Sequence, residues 1–466
     1  MVVSIIKLSE LEGAKRIDAE YYKPEYLTVK QKLLSTHFIY FKDLVKEIIH
    51  PIEIKREYEE EKQDYLFLLA QNVRLLMLDL SEKRYISEEK AKLISKNLLE
   101  KGDILLVRSG NVGELTVYTG EPNKVISSAD LLVAKVIFKH PYYVGVFLST
   151  SFGQKILLRG IYSGLQPHIA PTYVKQIPIP IFSEELMIKI EDLFLQAQDL
   201  LKQSRFLYSK AENLLLEELR LKDFNPKYEK TYAANLSNTF ISHRIDAEYF
   251  QPMYDEIIKK IREYPSGFSK LLKHVKYVKP DFDPTKYPGK IFSYVELADI
   301  DSSIGVIHST SKIKGEEAPT RARRMLKEND VIVSRVEGSL EKVALVDKEH
   351  EGCLASTGFF QFRPQDILPE VLLILSKTTI LQSQLKKQCS GTILTAVPKE
   401  SLRDIIIPLL PFEIQTKIAS LVQYSHEARR KAKELLGTAR KAVETAIEKN
   451  EKEALNYILA QNFKKI

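Results

Sequence analysis

The chain has 466 residues, 44% hydrophobic and 28% charged, ordinary proportions for a globular protein with a sizeable core. No apolar run approaches the roughly 18 residues of a membrane span, Lys7 follows the N-terminus too soon for a signal peptide, and the only cysteines, Cys353 and Cys389, leave the first half with neither a disulfide framework nor a cysteine zinc site. The net charge of +7 permits nucleic-acid binding without establishing it, and a reducing cytoplasm is the expected compartment.

In chain order, the first landmark is R-I-D-A-E-Y-Y at Arg16 to Tyr22. Arg16 can pair with Asp18 or Glu20, so the box reads as an element of fold or of a subunit interface. A helix is expected over Ser87 to Asn97, and strands over Ile104 to Val107, Leu131 to Val136 and Ile177 to Ile181, with Gly102, Gly110, Gly113 and Gly120 as punctuation. The strand at Ile104 ends in Arg108, Ser109 and Asn111; arginine can pair with guanine and asparagine with adenine. A turn at Ser163-Gly164 precedes Gln166 and His168, lesser candidates for nucleic-acid contact. The mixed α/β part ends near residue 182.

Residues 183–222 then carry a helical pattern. Leu193, Ala197, Leu200, Ser204, Leu207, Ala211 and Leu214 step alternately by four and three, a heptad seam that fails at Glu218. Arg205, Tyr208 and Lys210 lie off that seam and are expected to face solvent or a partner.

Residues 223–410 form the second mixed part. Here R-I-D-A-E-Y-F occurs at Arg244 to Phe250. Strands are expected at Val331 to Ser334, Phe359 to Phe362 and Ile405 to Pro408, with a helix over Leu368 to Lys377. Arg321, Arg323 and Arg324 lie in a polar stretch after Gly315, read as a loop able to track phosphates or read guanine. Arg335 ends the Val331 strand as Arg108 ends its own, and Lys386 and Lys387 precede a turn at Ser390-Gly391. Residues 411–466 hold a second long helix and a C-terminal tail, the helix carrying a second seam: Leu421, Ser425, Ala428, Ala432, Leu435, Ala439, Ala442 and Ala446. Its small residues, facing the larger ones of the first seam, favour packing of the two helices on each other.

These landmarks recur at one offset. Arg16 and Arg244 lie 228 residues apart, Asp103 and Asp330 lie 227 apart, Ser163 and Ser390 lie 227 apart, and Lys189 and Lys417 lie 228 apart. The chain is a tandem duplication of one large unit, far longer than a solenoid repeat. At the 227 offset, Gly110, Asn111 and Gly113 face Glu337, Gly338 and Leu340, and Gln166 faces Ile393. The copies therefore read as two related but non-identical binding surfaces.

The paired R-I-D-A-E-Y boxes, D-I-L-L-V-R-S-G at Asp103 to Gly110 with its weaker copy at Asp330 to Arg335, and S-G-L-Q-P-H-I at Ser163 to Ile169 against S-G-T-I-L at Ser390 to Leu394 are similar to the specificity subunits of type I restriction–modification systems. The resemblance covers essentially the whole chain. It implies two α/β target recognition domains, each followed by a long helix, the two helices pairing antiparallel as a coiled-coil spacer. It implies double-stranded DNA as ligand, two copies of an adenine-methylating modification subunit and a restriction subunit with motor and nuclease as partners, and no cofactor of the chain's own.

No catalytic constellation competes with that reading. There is no G-x-x-x-x-G-K-[ST] phosphate loop and no metal-ligand spacing among the nine histidines. Asn225-Pro226-Lys227-Tyr228 resembles the N-P-P-aromatic loop of adenine methyltransferases, but Lys227 replaces the second proline and the segment reads as a turn after the first long helix. Asp103 and Glu114 lack the further acid and lysine of a nuclease site. The alternative is a coiled-coil scaffold that recruits proteins and touches no DNA.

Overall fold

The computed structural model describes residues 5–8, 11, 16–55, 64–80, 82–162, 167–224, 226–391 and 395–461. The chain divides into two compact units, residues 1–201 with 430–466, and residues 202–429.

In the first unit a four-stranded antiparallel sheet runs in the order Val45–Ile49, Leu131–Val136, Ile104–Val107, Leu115–Val117. The strand Ile104–Val107 is apolar at every position and buried throughout. Its alternating side chains explain this. Ile104 and Leu106 enter a core with Tyr143, Val144 and Phe147 of the helix Pro141–Ser149, while Leu105 and Val107 enter a second core with Leu66, Leu68 and Tyr118. A strand covered on both faces needs no polar alternation. A smaller sheet, Tyr85–Ile86, Tyr65–Leu68 and Val125–Ser127, includes a parallel pair.

The second unit repeats this plan. Its antiparallel sheet is ordered Val275–Tyr277, Phe359–Pro364, Val331–Ser334, Val343–Leu345. Val331 and Val333 again face the helix side and Ile332 the other core. A helical pair, Pro369–Lys377 and Thr379–Gln388, matches Pro141–Ser149 and Ser151–Arg159 of the first unit. The second sheet gains a strand here: Ala322–Met325 pairs with Leu354–Ser356. The expected polar loop around Arg323 is thus a strand.

Two long helices, Glu184–Glu218 and Phe412–Glu448, contribute to both units. In the first unit Leu186, Ile190, Leu193, Phe194, Ala197 and Leu201 share a core with Ala432, Leu435, Leu436, Ala439, Val443 and Ala446. In the second, Tyr208, Ala211 and Leu215 share one with Ile418 and Val422. The start of one helix thus meets the end of the other, which makes the pairing antiparallel. At its middle Ser204 and Ser425, both buried, exchange hydroxyl contacts at 3.1 Å, and the Ser425 hydroxyl donates to the Ser204 carbonyl at 2.7 Å.

The seam departs from the heptad expected for the first helix. Leu193, Ala197 and Ala211 are buried as expected, but Leu200, Leu207 and Leu214 are only half-buried. Beside the buried Phe194, the buried row runs Leu193, Ala197, Leu201, Ser204, Tyr208, Ala211 and Leu215. Six steps across 22 residues give about 3.7 per step, close to the natural pitch and not the 3.5 of a supercoiled heptad. Tyr208 therefore lies inside the seam, correcting its expected outward position. In the second helix Ala428, Ala432, Leu435, Ala439 and Ala442 are buried and Leu421 is half-buried. The second long helix, Phe412–Glu448, is followed by a further short helix, Glu451–Ala460, which Asn450 caps by accepting from the Glu453 amide at 3.0 Å.

Candidate nucleic-acid interface

Two sequence boxes converge at the end of the central strand. In the first unit the Ile169 amide donates to the Arg108 carbonyl at 3.2 Å, and the Arg108 amide donates to the Asp130 carbonyl at 2.8 Å. Ser109 forms a bridge with His168, whose Nδ1 lies 2.9 Å from the Ser109 hydroxyl. The backbone around Arg108 is thus fully engaged, and its half-buried side chain, with exposed Asn111, is what the turn presents. His50, just past the strand Val45–Ile49 and two places from Ile104–Val107 in the sheet, joins this group. Burial, then the Arg108 charge, holds its pKa below the usual value. Nothing local in the sequence marks His50; only the pairing of Val45–Ile49 with Leu131–Val136 brings it here. Gln166 lies outside the described residues.

The second unit builds the same turn from other side chains. The Val397 amide donates to the Arg335 carbonyl at 2.8 Å, the Arg335 amide donates to the Gly358 carbonyl at 2.9 Å, and Val336 bridges Ala396. Arg335 lies over the Phe360 ring at 5.4 Å. Gly110 and Gly338 occupy matching left-handed conformations, φ 81° and 78°. Matching them shifts the offset from 227 to 228 within the turn, so Gly110 corresponds to Gly338 and Asn111 to Ser339. Glu337 is an added residue, which corrects the residue-by-residue match expected from a uniform 227 offset.

The R-I-D-A-E-Y boxes are clamps. Arg16 Nε and Nη2 donate to Asp18 at 2.7 and 2.9 Å, Nη2 also to the Ile161 carbonyl at 2.8 Å, and the guanidinium covers Tyr21. Arg244 repeats this with Asp246 at 2.7 and 2.8 Å, the Cys389 carbonyl at 2.7 Å and the Tyr249 ring. Each arginine binds chain just beyond the second helix of its pair, where free carbonyls favour a cation. The Arg16 hydrogen bond holds the Asp18 carboxyl below its usual pKa; for Asp246 burial opposes and Arg244 prevails. Lys387 belongs to the second clamp: its Nζ lies 2.7 Å from Asp255 and over Tyr249. Lys386 is exposed, 3.8 Å from Glu248.

The three arginines near residue 323 separate. Arg324 is buried, donating to the Val278 carbonyl at 2.7 Å and to the Tyr277 hydroxyl at 3.1 Å. Arg323 pairs with Asp283 at 2.7 Å. Arg321 alone of the three is exposed. An alternating strand explains the division, since neighbouring residues point to opposite faces.

Asp103 and Glu114 are engaged with their own surroundings. Asp103 holds Lys135 at 2.7 Å, and its counterpart Asp330 holds Arg363 through two contacts at 2.8 and 2.9 Å. Burial raises the Glu114 pKa. Among the described residues no group of three or more His, Cys, Asp or Glu is placed to hold a metal ion, and no helix is long and apolar enough to cross a membrane.

No protein-family model and no curated protein matches the chain. Solved structures do. One is a chain from a study of complex assembly and conformational transition of a type I restriction–modification system, with 32% identity over 39% of this chain and 46% of that one, at a TM-score of 0.31. A second is the HsdS subunit from Thermoanaerobacter tengcongensis, with 31% identity over 40% and 47%, at 0.31. A third is the S subunit of a type I system from M. genitalium, with 11% identity over 91% and 96%, at 0.39. The chain spans about half the length of the first two. All three are from type I restriction–modification systems.

Proposed function

We propose that this chain is the DNA-specificity subunit of a type I restriction–modification complex. The observation that carries this reading is the pair of strand-end turns, built on one backbone plan with different side chains. In the first unit the turn presents Arg108 and Asn111 beside the bonded Ser109 and His168; in the second it presents Arg335, Val336 and Ser339. Side chains of arginine and asparagine distinguish guanine and adenine by paired hydrogen bonds in the major groove. One scaffold used twice with different readers suits a DNA target in two dissimilar parts. Domains 1–182 and 223–410 each read one part, and the helices between and after them set the gap. Arg321 and Lys386 are exposed cations suited to phosphate contacts, which position without specifying.

The chain does no chemistry. It seats two modification subunits that methylate adenine after turning the base out of the stack, and a restriction subunit. The test is direct. Purified chain with its modification subunit should bind one DNA sequence, more weakly as salt rises, and methylate a two-part site. The chain alone, given DNA, methyl donor, ATP and magnesium, should neither methylate nor cleave. Binding without sequence preference, or catalysis by the chain alone, overturns the reading.

A further inference from the structure

One exposed cation of the second unit stands on an aromatic group that the first unit lacks. The Lys399 ammonium lies over the ring of Tyr277, 5.0 Å from its centroid. Tyr277 in turn meets Phe360 and Phe362 edge-on, at 6.2 and 6.4 Å. Two more cations share these rings. Arg324 lies over Tyr277 at 5.5 Å and donates to its hydroxyl, and Arg335 lies over Phe360 at 5.4 Å. Arg324 is buried, and its Nε meets no hydrogen-bond partner among the described residues. Among those residues no carboxylate pairs with Arg324, Arg335 or Lys399. The acids nearest in sequence, Glu337 and Glu400, line the cavity beside Cys389, which none of the three cations lines.

The fold does not require these charges. The matching pairings place Pro171 where the second unit has Lys399, Ile48 where it has Tyr277 and Leu132 where it has Phe360. At the offset that joins Asp103 to Asp330, buried Asn97 stands for Arg324. Only Arg108, the counterpart of Arg335, is charged in both. Three cations with no acid among them repel one another, and burial lowers the Arg324 pKa, to which the Arg335 charge adds. Such a group sets up a positive potential that favours an anion. Lys399 is the member exposed to receive one, and the Tyr277 face holds its ammonium in place beforehand. The position says which anion. The Val397 amide binds the Arg335 carbonyl, so Lys399, two residues on, stands beside the turn that presents Arg335. Next to base edges in a duplex, the anion is a backbone phosphate.

We infer that Lys399, held over Tyr277 beside Arg324 and Arg335, grips a backbone phosphate in the half of the DNA target read at the Arg335 turn, a grip for which the first unit has no counterpart. This rests on the specificity-subunit reading. Lys399 is a positioning residue, since a phosphate carries no base identity. The test uses the full chain with its modification subunit and fluorescence anisotropy on target and unrelated DNA. Lys399→Gln should weaken both alike and reduce the salt slope by about 1. Its deficit should therefore shrink roughly 3-fold between about 50 and about 200 mM salt. Lys399→Arg should bind like wild type, and both variants should melt like it, because the side chain is exposed. A second arm alters the DNA instead. Neutral methylphosphonates, placed one at a time along the target, should include one position, within a single half, that weakens wild type and leaves Lys399→Gln unaffected. An unchanged salt slope, or no such position, overturns the phosphate grip and leaves the functional reading standing. A loss confined to one base pair makes Lys399 a base reader and overturns the grip as well. A wild-type complex without sequence preference overturns the functional reading and this inference with it.

Discussion

At matching positions the two units solve one packing problem in opposite ways. In the first unit Gln198 of the long helix donates to the Leu76 carbonyl at 2.9 Å. In the second, His426 donates through Nε2 to the Ile304 carbonyl at 2.8 Å. Around that shared contact the first unit places Val73, Ser149 and Leu201, all buried. The second places Asp301, Lys377 and Arg429. Arg429 pairs with Asp301 at 2.7 Å, and Lys377 reaches Glu212 at 3.7 Å, the Ser302 carbonyl and the face of Tyr208. Burial lowers the Lys377 pKa; burial opposes ionisation of Asp301, and Arg429 keeps it below its usual value. The difference teaches that the fold needs the carbonyl contact and the volume, while buried charge is optional and brings its own liabilities.

The largest expected effect tests the phase of the helix. Tyr208→Ala should cost about 3–5 kcal/mol, as for a large buried aromatic side chain. Leu207→Ala, on the half-buried flank, should cost only about 1 kcal/mol. Denaturant unfolding decides it; equal losses would restore the heptad register.

Next comes the ion network. Asp301→Val should cost about 3 kcal/mol by stranding Arg429. Asp301→Val with Arg429→Leu, which copies Val73 and Leu201 of the first unit, should recover most of that loss. A double variant no better than the single would mean that the two units are not interchangeable here.

The third effect is on pH. Burial holds His426 down at about 4, against 6.5 for a free histidine. Between those values the unfolded chain binds the extra proton, so stability falls as pH falls through that window and is flat above it. Going from pH 7 to pH 5 should remove about 2 kcal/mol from the second unit. His426→Gln, which supplies the side chain of the first unit, should abolish most of this slope. Hydrogen exchange read separately in each unit measures it; an unchanged slope would place the proton elsewhere.

The smallest effect on folding separates the arginines of the Ala322–Met325 region. Arg321→Ala should change stability by less than about 0.5 kcal/mol and weaken DNA binding alike for all sequences. Arg324→Ala should destabilise the second unit, because Arg324 is buried on Val278 and Tyr277. Filter binding and thermal melting together distinguish them.

The repeat, the two α/β halves and the helical tails are legible in the sequence because the boxes recur at one spacing and apolar periodicity follows secondary structure. The clamps are half-legible: Arg16 and Asp18 lie two residues apart, but the Ile161 carbonyl that Arg16 meets lies far along the chain. Tyr208 lies in the seam because a heptad and the natural helical pitch diverge by about 20° per seven residues, enough over the two heptads after Leu193 to exchange Leu207 for its neighbour. The Arg323 stretch looked like a loop because an edge strand with two outward cations shows little apolar alternation. His50 was invisible because only strand pairing brings it to Arg108. The turn offset failed by one residue because a single insertion, Glu337, leaves no compositional mark.

The central claim is that one chain holds two independent readers on one plan. Replacing residues 1–182 with the corresponding domain of a relative, then mapping methylated adenines across genomic DNA in the reconstituted complex, tests it most directly. The expected result is a target with one half changed and the other half and the gap retained. A target altered in both halves, or unaltered in either, would contradict it.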